Sequence, residues 1–301
     1  MENMTGSEGD KVEPKLAYAM VFGGILVLGI PLNAVSLWIL WRRHSHKSPS
    51  AVFMVNLALS DLLLAVSLPL NICFHSVGIW PVGNLPCICA VVLFRNNIRS
   101  SAVFITLISV DRLLAVVFPL RSRHSRTATN AWKVVGLTWI LLFAFNIPEG
   151  LSLHWDSVGS NKTICSKFVD HHRHQSVVDN FHPVFIFLLF LVNIVSTVSV
   201  IRSLCRRPKD SPDISNKGSI MLIFLMNLIV FSICFLPLSV AAFTMTASQI
   251  QPLLCLSAVN CCLDPPLYYF SMDNFWKKKP DGSGTRGEDA TELRGTTVCD
   301  H

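Results

Sequence analysis

The chain has 301 residues, 51% of them hydrophobic and 15% charged, with a formal net charge of +6 and a positive mean hydropathy. That is more apolar surface than a soluble domain of this size can bury, so the composition excludes an ordinary globular enzyme and points to a membrane protein. The cations stand beside long apolar runs, where they meet anionic lipid headgroups, which sets nucleic acid aside as a partner.

Residues 1–15 are polar and carry Glu2, Glu8, Asp10 and Glu13. They lack the basic start and short apolar core of a cleaved signal peptide, so the first apolar run is expected to act as its own insertion signal. A bilayer crossing needs about 20 mostly apolar residues. Seven stretches meet that requirement: Leu16–Trp41, Ala51–Phe74, Cys87–Phe118, Trp132–Leu153, Phe181–Ile201, Ser219–Phe243 and Ile250–Phe270. The expected fold is therefore an all-α membrane protein, a seven-transmembrane helix bundle over residues 16–270 with its termini on opposite sides.

Lysine and arginine set the orientation. Arg42, Arg43 and Lys47 follow the first span, Arg121, Arg123 and Arg126 the third, Arg206, Arg207 and Lys209 the fifth, and Lys277, Lys278 and Lys279 the seventh. Those connections are expected to be cytoplasmic and the N-terminus extracellular, which makes the chain a multi-pass protein of the plasma membrane. The external segments hold two glycosylation sequons, at Asn3 and Asn161. Residues 271–279, with Phe275 and Trp276 beside three lysines, read as a short amphipathic helix lying in the interface. Residues 280–301 read as a disordered cytoplasmic tail, in which Ser283, Thr285, Thr291, Thr296 and Thr297 are the candidate phosphorylation sites for arrestin.

Polar residues recur inside the spans: Asn33, Asp61, Asn97, Ser101, Asn260 and Asp264. Each is costly alone in hydrocarbon, so they are expected to face one another in the bundle interior. Two carboxylates near one site need a proton or a cation between them, and oxygen donors suit a small hard ion. A structural sodium ion and a water-mediated network without an ion both satisfy this pattern, and no other cofactor is expected. Asp111 and Arg112 end a long apolar run just before a basic loop, as a switchable ion pair at a helix exit would.

Arg95 and Arg99 are spaced i,i+4 and share one face of the third helix. A guanidinium at that depth calls for an anion, supplied from outside as a carboxylate or phosphate or from within by Glu149 or Asp179. Apolar outer halves of the later helices (Phe185, Phe187, Phe190, Phe243, Leu253, Leu254) favour an anionic lipid over a nucleotide. His75, Lys167 and Phe235 complete the expected ligand-binding set. Lys167 and the nearby His171, His172, Arg173 and His174 either steer an anion inward or form a solvated loop. These histidines have no nucleophile or metal-ligand spacing around them, so the chain is not expected to be an enzyme. The ten cysteines are too dispersed for a disulfide framework, and Cys87 and Cys165 are the two in clearly external positions.

Motifs in six spans, Gly29-Ile30-Pro31-Leu32-Asn33, Asn56-Leu57-Ala58-Leu59-Ser60-Asp61, Asp111-Arg112, Trp139, Phe231 through Pro237 and Asn260 through Tyr268, together resemble a rhodopsin-like (class A) G-protein-coupled receptor. The Trp80-Pro81-Val82-Gly83 turn, the Arg43–Ser60 stretch and the Asn260–Pro265 ending are similar to the purinergic-like, lysophospholipid and protease-activated branch. The resemblance implies a Cys87–Cys165 disulfide and a heterotrimeric G protein as partner. It also implies that Arg112 is restrained by Asp111 at rest and that helix six swings outward about Pro237, with Phe231 and Phe235 relaying the shift and Pro265 and Tyr268 serving the open state. The short external arm makes a diffusible ligand the better expectation than a tethered one. The function read from the sequence is a receptor for a small anionic lipid or other amphipathic anion.

Three departures stand beside that reading. Leu113 replaces the aromatic usual after the Asp-Arg pair, and helix five lacks both a mid-helix proline and a later tyrosine. The run from Pro237 to Pro265 is short, so the outer pocket wall is contracted or the chain is a shortened product. A nucleotide-responsive receptor and a non-signalling decoy or scaffold with the same fold therefore remain as alternatives. A transporter would need inverted repeats or broken paired helices, which the sequence does not show.

Overall fold

A computed structural model describes residues 15–44, 48–78, 83–158, 177–206, 217–244 and 247–276. The described residues form nine helices and no strand: α1 (Leu16–His44), α2 (Pro49–Val77), α3 (Asn84–Val117), the single turn α4 (Pro119–Ser122), α5 (Ala128–Val158), α6 (Val177–Arg206), α7 (Lys217–Cys234), α8 (Leu236–Thr244) and α9 (Ala247–Trp276). Each expected span has a helical counterpart, with α7 and α8 together making the sixth. Six of these helices are long and apolar enough to cross a membrane. The seventh, α9, contains Pro252, Pro265 and Pro266 and the buried Asn260 and Asp264, polar groups that it turns toward its neighbours and away from lipid.

Local sequence explains several boundaries. Ser48 caps α2 by accepting from the Ala51 N–H at 3.2 Å, and Pro49 follows at the first helical position, where its missing N–H costs nothing. The same helix ends at Gly78, whose φ of 73° suits a residue without Cβ and whose N–H closes on the Phe74 carbonyl at 2.8 Å. The sixth span, expected as one helix over Ser219–Phe243, is interrupted at Phe235, two residues before Pro237, which has no N–H to donate and crowds the preceding turn. Helix α9 runs unbroken across the expected boundary at residue 271, and 277–301 lie outside the described residues.

α3 stands at the centre, packed against α2, α5, α6 and α7, while α1 and α9 close the bundle beside α2 and α7. The main core is lined by Phe22, Leu57, Leu64, Leu68, Phe104 and Phe231. Single hydrogen bonds stitch the helices together, each satisfying a polar group that lipid cannot. Trp139 donates its indole N–H to Asn56 Oδ1 at 3.0 Å, Asn193 donates to Thr106 Oγ1 at 2.7 Å, and Asn33 donates to the Cys261 carbonyl at 2.8 Å. α1 approaches α9 so closely at Gly29 that a Cβ there would stand 3.0 Å from Cys261 Sγ.

Candidate functional site

Three polar clusters lie along the bundle, each drawing on residues of α3. The cluster nearest the start of α3 holds the two arginines. Arg95 forms an ion pair with Glu149 of α5. Arg99 reaches the second oxygen of the same carboxylate at 2.8 Å and donates to Asn146 Oδ1. Asn146 in turn donates to Asn96 Oδ1 at 2.9 Å. The external anion expected as their partner is thus replaced, in this structure, by an internal carboxylate, one of the two alternatives left open by the sequence. The reason is energetic: the Glu149 side chain is only 4% exposed, and a carboxylate buried at that depth must be paired. Arg99 is buried with it, whereas Arg95 keeps 20% of its side-chain surface exposed.

His75 does not stand alone as a ligand contact. It is buried against the Tyr18, Phe22 and Phe74 rings and lies 2.8 Å from Gln251 Nε2, so it bridges α2 to α9. Phe235 belongs to a ladder of rings across the break in the sixth span: Phe190 of α6 stacks on Phe231 at 6.1 Å, and Phe231 meets Phe235 at 5.1 Å.

The middle cluster brings together the polar residues expected to meet. Asn97 donates to Asp61 Oδ1 at 3.0 Å, Ser101 donates to the same oxygen at 3.4 Å, and Asn260 donates to Asp264 Oδ2 at 2.8 Å. The two carboxyl groups are close enough to interact electrostatically. Asp61 Oδ2, Asp264 Oδ1 and Asn260 Oδ1 are buried with no hydrogen-bonding partner among the described residues. Buried acceptor oxygens of this kind fit a small hard cation, whose ligands are oxygens. The described residues contain no cluster of three His, Cys, Asp or Glu that would instead suit a transition metal.

At the far end of α3, the Asp111 carboxylate is held by Arg126 through two bonds, from Nε at 2.8 Å and Nη2 at 3.1 Å, and it also accepts from Ser50 at the start of α2. The Asp111 carboxylate, expected to restrain Arg112, is also bound bidentately by the loop after α4, with Arg112 within electrostatic reach of it. Adjacent residues on a helix project about 100° apart and do not face each other, whereas Arg126 arrives from a separate segment. Arg112 itself is half-buried beside this clasp, and Pro237 and Pro265 lie in α8 and α9.

Cys87 is fully buried and engaged in a disulfide. Its partner is outside the described residues, which leaves Cys165 and Cys299 as the two cysteines not accounted for as free thiols. Asn3, Asn161, Lys167, the Tyr268 side chain and the tail phosphorylation sites also fall outside what is described. Sequence reasoning missed Asn96, Asn146, Ser50 and the role of Arg126. Only their placement inside or just beside apolar runs could have singled them out.

The chain matches the family described as "7 transmembrane receptor (rhodopsin family)" over residues 32–268. Among curated relatives, human lysophosphatidic acid receptor 4 is 32% identical over 277 residues, covering 85% of this chain and 75% of that protein. Lysophosphatidic acid receptor 6 of Gallus gallus is 29% identical, covering 85% and 90%, and proteinase-activated receptor 1 of Xenopus laevis is 30% identical, covering 87% and 64%. The matched span takes in all three clusters, from Asn33 of α1 to the end of the Asn260–Tyr268 motif, and the chain belongs to the rhodopsin family of seven-transmembrane receptors.

Proposed function

We propose that the chain is a plasma-membrane receptor, with its N-terminus outside, for an amphipathic anion of the lysophospholipid class, and that it passes binding on to a heterotrimeric G protein. The observation that carries this reading is the Arg95–Arg99–Glu149 cluster, in which two guanidinia share one carboxylate. A phosphate can dock on the exposed flank of Arg95 through charge-assisted hydrogen bonds while Glu149 keeps Arg99 in place. The apolar Phe185 and Phe190 of α6 and Leu253 and Leu254 of α9 lie on the same core and suit an acyl chain. The names of the lysophosphatidic acid receptors among its relatives point to the same ligand class.

On this reading the Cys87 disulfide is made with Cys165 and pins the second external loop, and Asn3 and Asn161 carry glycans. A sodium ion bound among Asp61, Asn260 and Asp264 would supply the positive charge that those carboxylates lack in the resting bundle. Signal leaves through outward movement of helix six about Pro237, which exposes Arg112 to the G protein, and arrestin engages the tail. The decisive experiment expresses the chain in cells without endogenous responses and applies lysophosphatidic acid, with nucleoside di- and triphosphates as a second arm, while nucleotide exchange on G protein is measured. A response to the lipid that falls about tenfold in potency for Arg95→Ala, the effect of losing one charged hydrogen bond, supports the reading; a response to nucleotides alone replaces the ligand class.

One observation favours a second reading. α6 carries Pro183 near its start as its only internal proline and has no tyrosine, so the open state lacks a phenolic hydroxyl from helix five. A chain of this kind that binds lipid without promoting exchange would be a decoy or scaffold with the receptor fold.

A further inference from the structure

The break in the sixth span has a partner that belongs to none of the three clusters. α7 ends at Cys234, α8 begins at Leu236, and Pro237 contributes no N–H to the helical ladder. Backbone carbonyls near such a break need a donor from elsewhere, because no water is available in the hydrocarbon region. One comes from α9: Ser257 donates its hydroxyl to the Cys234 carbonyl at 2.7 Å. Ser257 is fully buried and Cys234 nearly so, so the bond is shielded from competition. It joins the last residue of α7 to a helix that also carries Asn260 and Asp264, one turn and two turns further on.

From this geometry we infer that Ser257 is a positioning residue that holds the hinge of the sixth span against α9. Rotation of α7 about Phe235 moves the Cys234 carbonyl relative to α9, so the bond is intact in the arrangement described and is given up when the cytoplasmic half of α7 swings away from α3. The Phe231 and Phe235 rings meet at the break in a tilted contact, and they fix the direction of the bend while Ser257 fixes its rest angle. The inference rests on the receptor reading above for its link to signalling, but its structural content does not.

The test uses the full chain in phospholipid nanodiscs without ligand, with spin labels attached through a bio-orthogonal amino acid at Phe118 and Leu222. Both are exposed, and the segments beside them share one end of the bundle, where Val116 and Val117 pack with Ile220, Met221 and Phe224. Ser257→Ala removes the donor and is expected to raise the population of longer α3–α7 distances by about fivefold, the weight of one ordinary buried hydrogen bond. Ser257→Thr retains the hydroxyl and is expected to keep the wild-type distribution, and Ser257→Cys, a weaker donor, to fall between and to serve if the alanine variant does not fold. Superimposable distributions for wild type and the donor-deleted variant would overturn the inference. Basal nucleotide exchange is measured in parallel: a distance shift with exchange silent in every variant upholds the hinge role of Ser257 and instead defeats the signalling reading.

Discussion

The two charged clusters at opposite ends of α3 use the same chemistry with different stoichiometry. At the outer end one carboxylate, Glu149, serves two guanidinia. At the inner end one carboxylate, Asp111, accepts two bonds from one guanidinium and a third from a hydroxyl. The outer carboxylate gathers two guanidinia from one face of α3, and Arg95 keeps part of its surface exposed, while the inner carboxylate is held by a guanidinium arriving from a separate segment after α4.

The comparison can be broken most severely at Glu149. Glu149→Gln removes the carboxylate that the buried Arg99 and the part-exposed Arg95 share and is expected to cost about 3–5 kcal/mol, read as loss of surface expression or a large drop in thermal stability in detergent. Replacing Arg99 by Met in the same chain should recover much of that loss, and no recovery would show that the pairing is not what sets the cost. Arg95→Ala should be milder for folding, because Arg99 still serves Glu149, and should appear as about a tenfold loss of potency toward lysophosphatidic acid. An unchanged dose response would detach the outer cluster from ligand binding.

Opening the inner clasp comes next. Arg126→Ala removes both bonds to Asp111 but leaves Ser50, and with Arg126 partly exposed the expected cost is about 1 kcal/mol, accompanied by raised basal nucleotide exchange. Exchange identical to wild type would mean that the clasp does not restrain the output. The smallest expected effect lies between the clusters, at the α3–α6 stitch. Asn193→Ala leaves Thr106 bonded to the Ala102 carbonyl, so the loss should stay near 1 kcal/mol, visible as a small shift in melting temperature with ligand potency unchanged.

Much of the architecture was legible before any coordinates. Runs such as Leu16–Trp41 and Phe181–Ile201 announce spans because the hydrocarbon thickness fixes their length, and the gathering of Asp61, Asn97, Ser101, Asn260 and Asp264 followed from the cost of leaving any of them in lipid. The seventh span was recognisable both from its apolar run Ile250–Phe270 and from its Asn260–Tyr268 motif. Partner choice was harder to read. Arg95 and Arg99 were visibly on one face, but Glu149 lies across the bundle on α5, and nothing in spacing ranks it above Asp179. Asp111 and Arg112 are neighbours in sequence, but nothing in that spacing shows that Arg126, from a separate segment, also binds the carboxylate. Pro237 marked a kink, but the hydroxyl that meets it comes from Ser257, twenty residues downstream on another helix.

The sequence by itself determined that this chain crosses a membrane as helices, which loops are basic, and which polar residues could not face lipid, because each of these follows from composition and period along one strand of chain. Only the tertiary structure decided which charge meets which. Inside a low-dielectric bundle every ion must find a partner, but the identity of that partner depends on the rotation and packing of helices distant in sequence, and no local pattern encodes it.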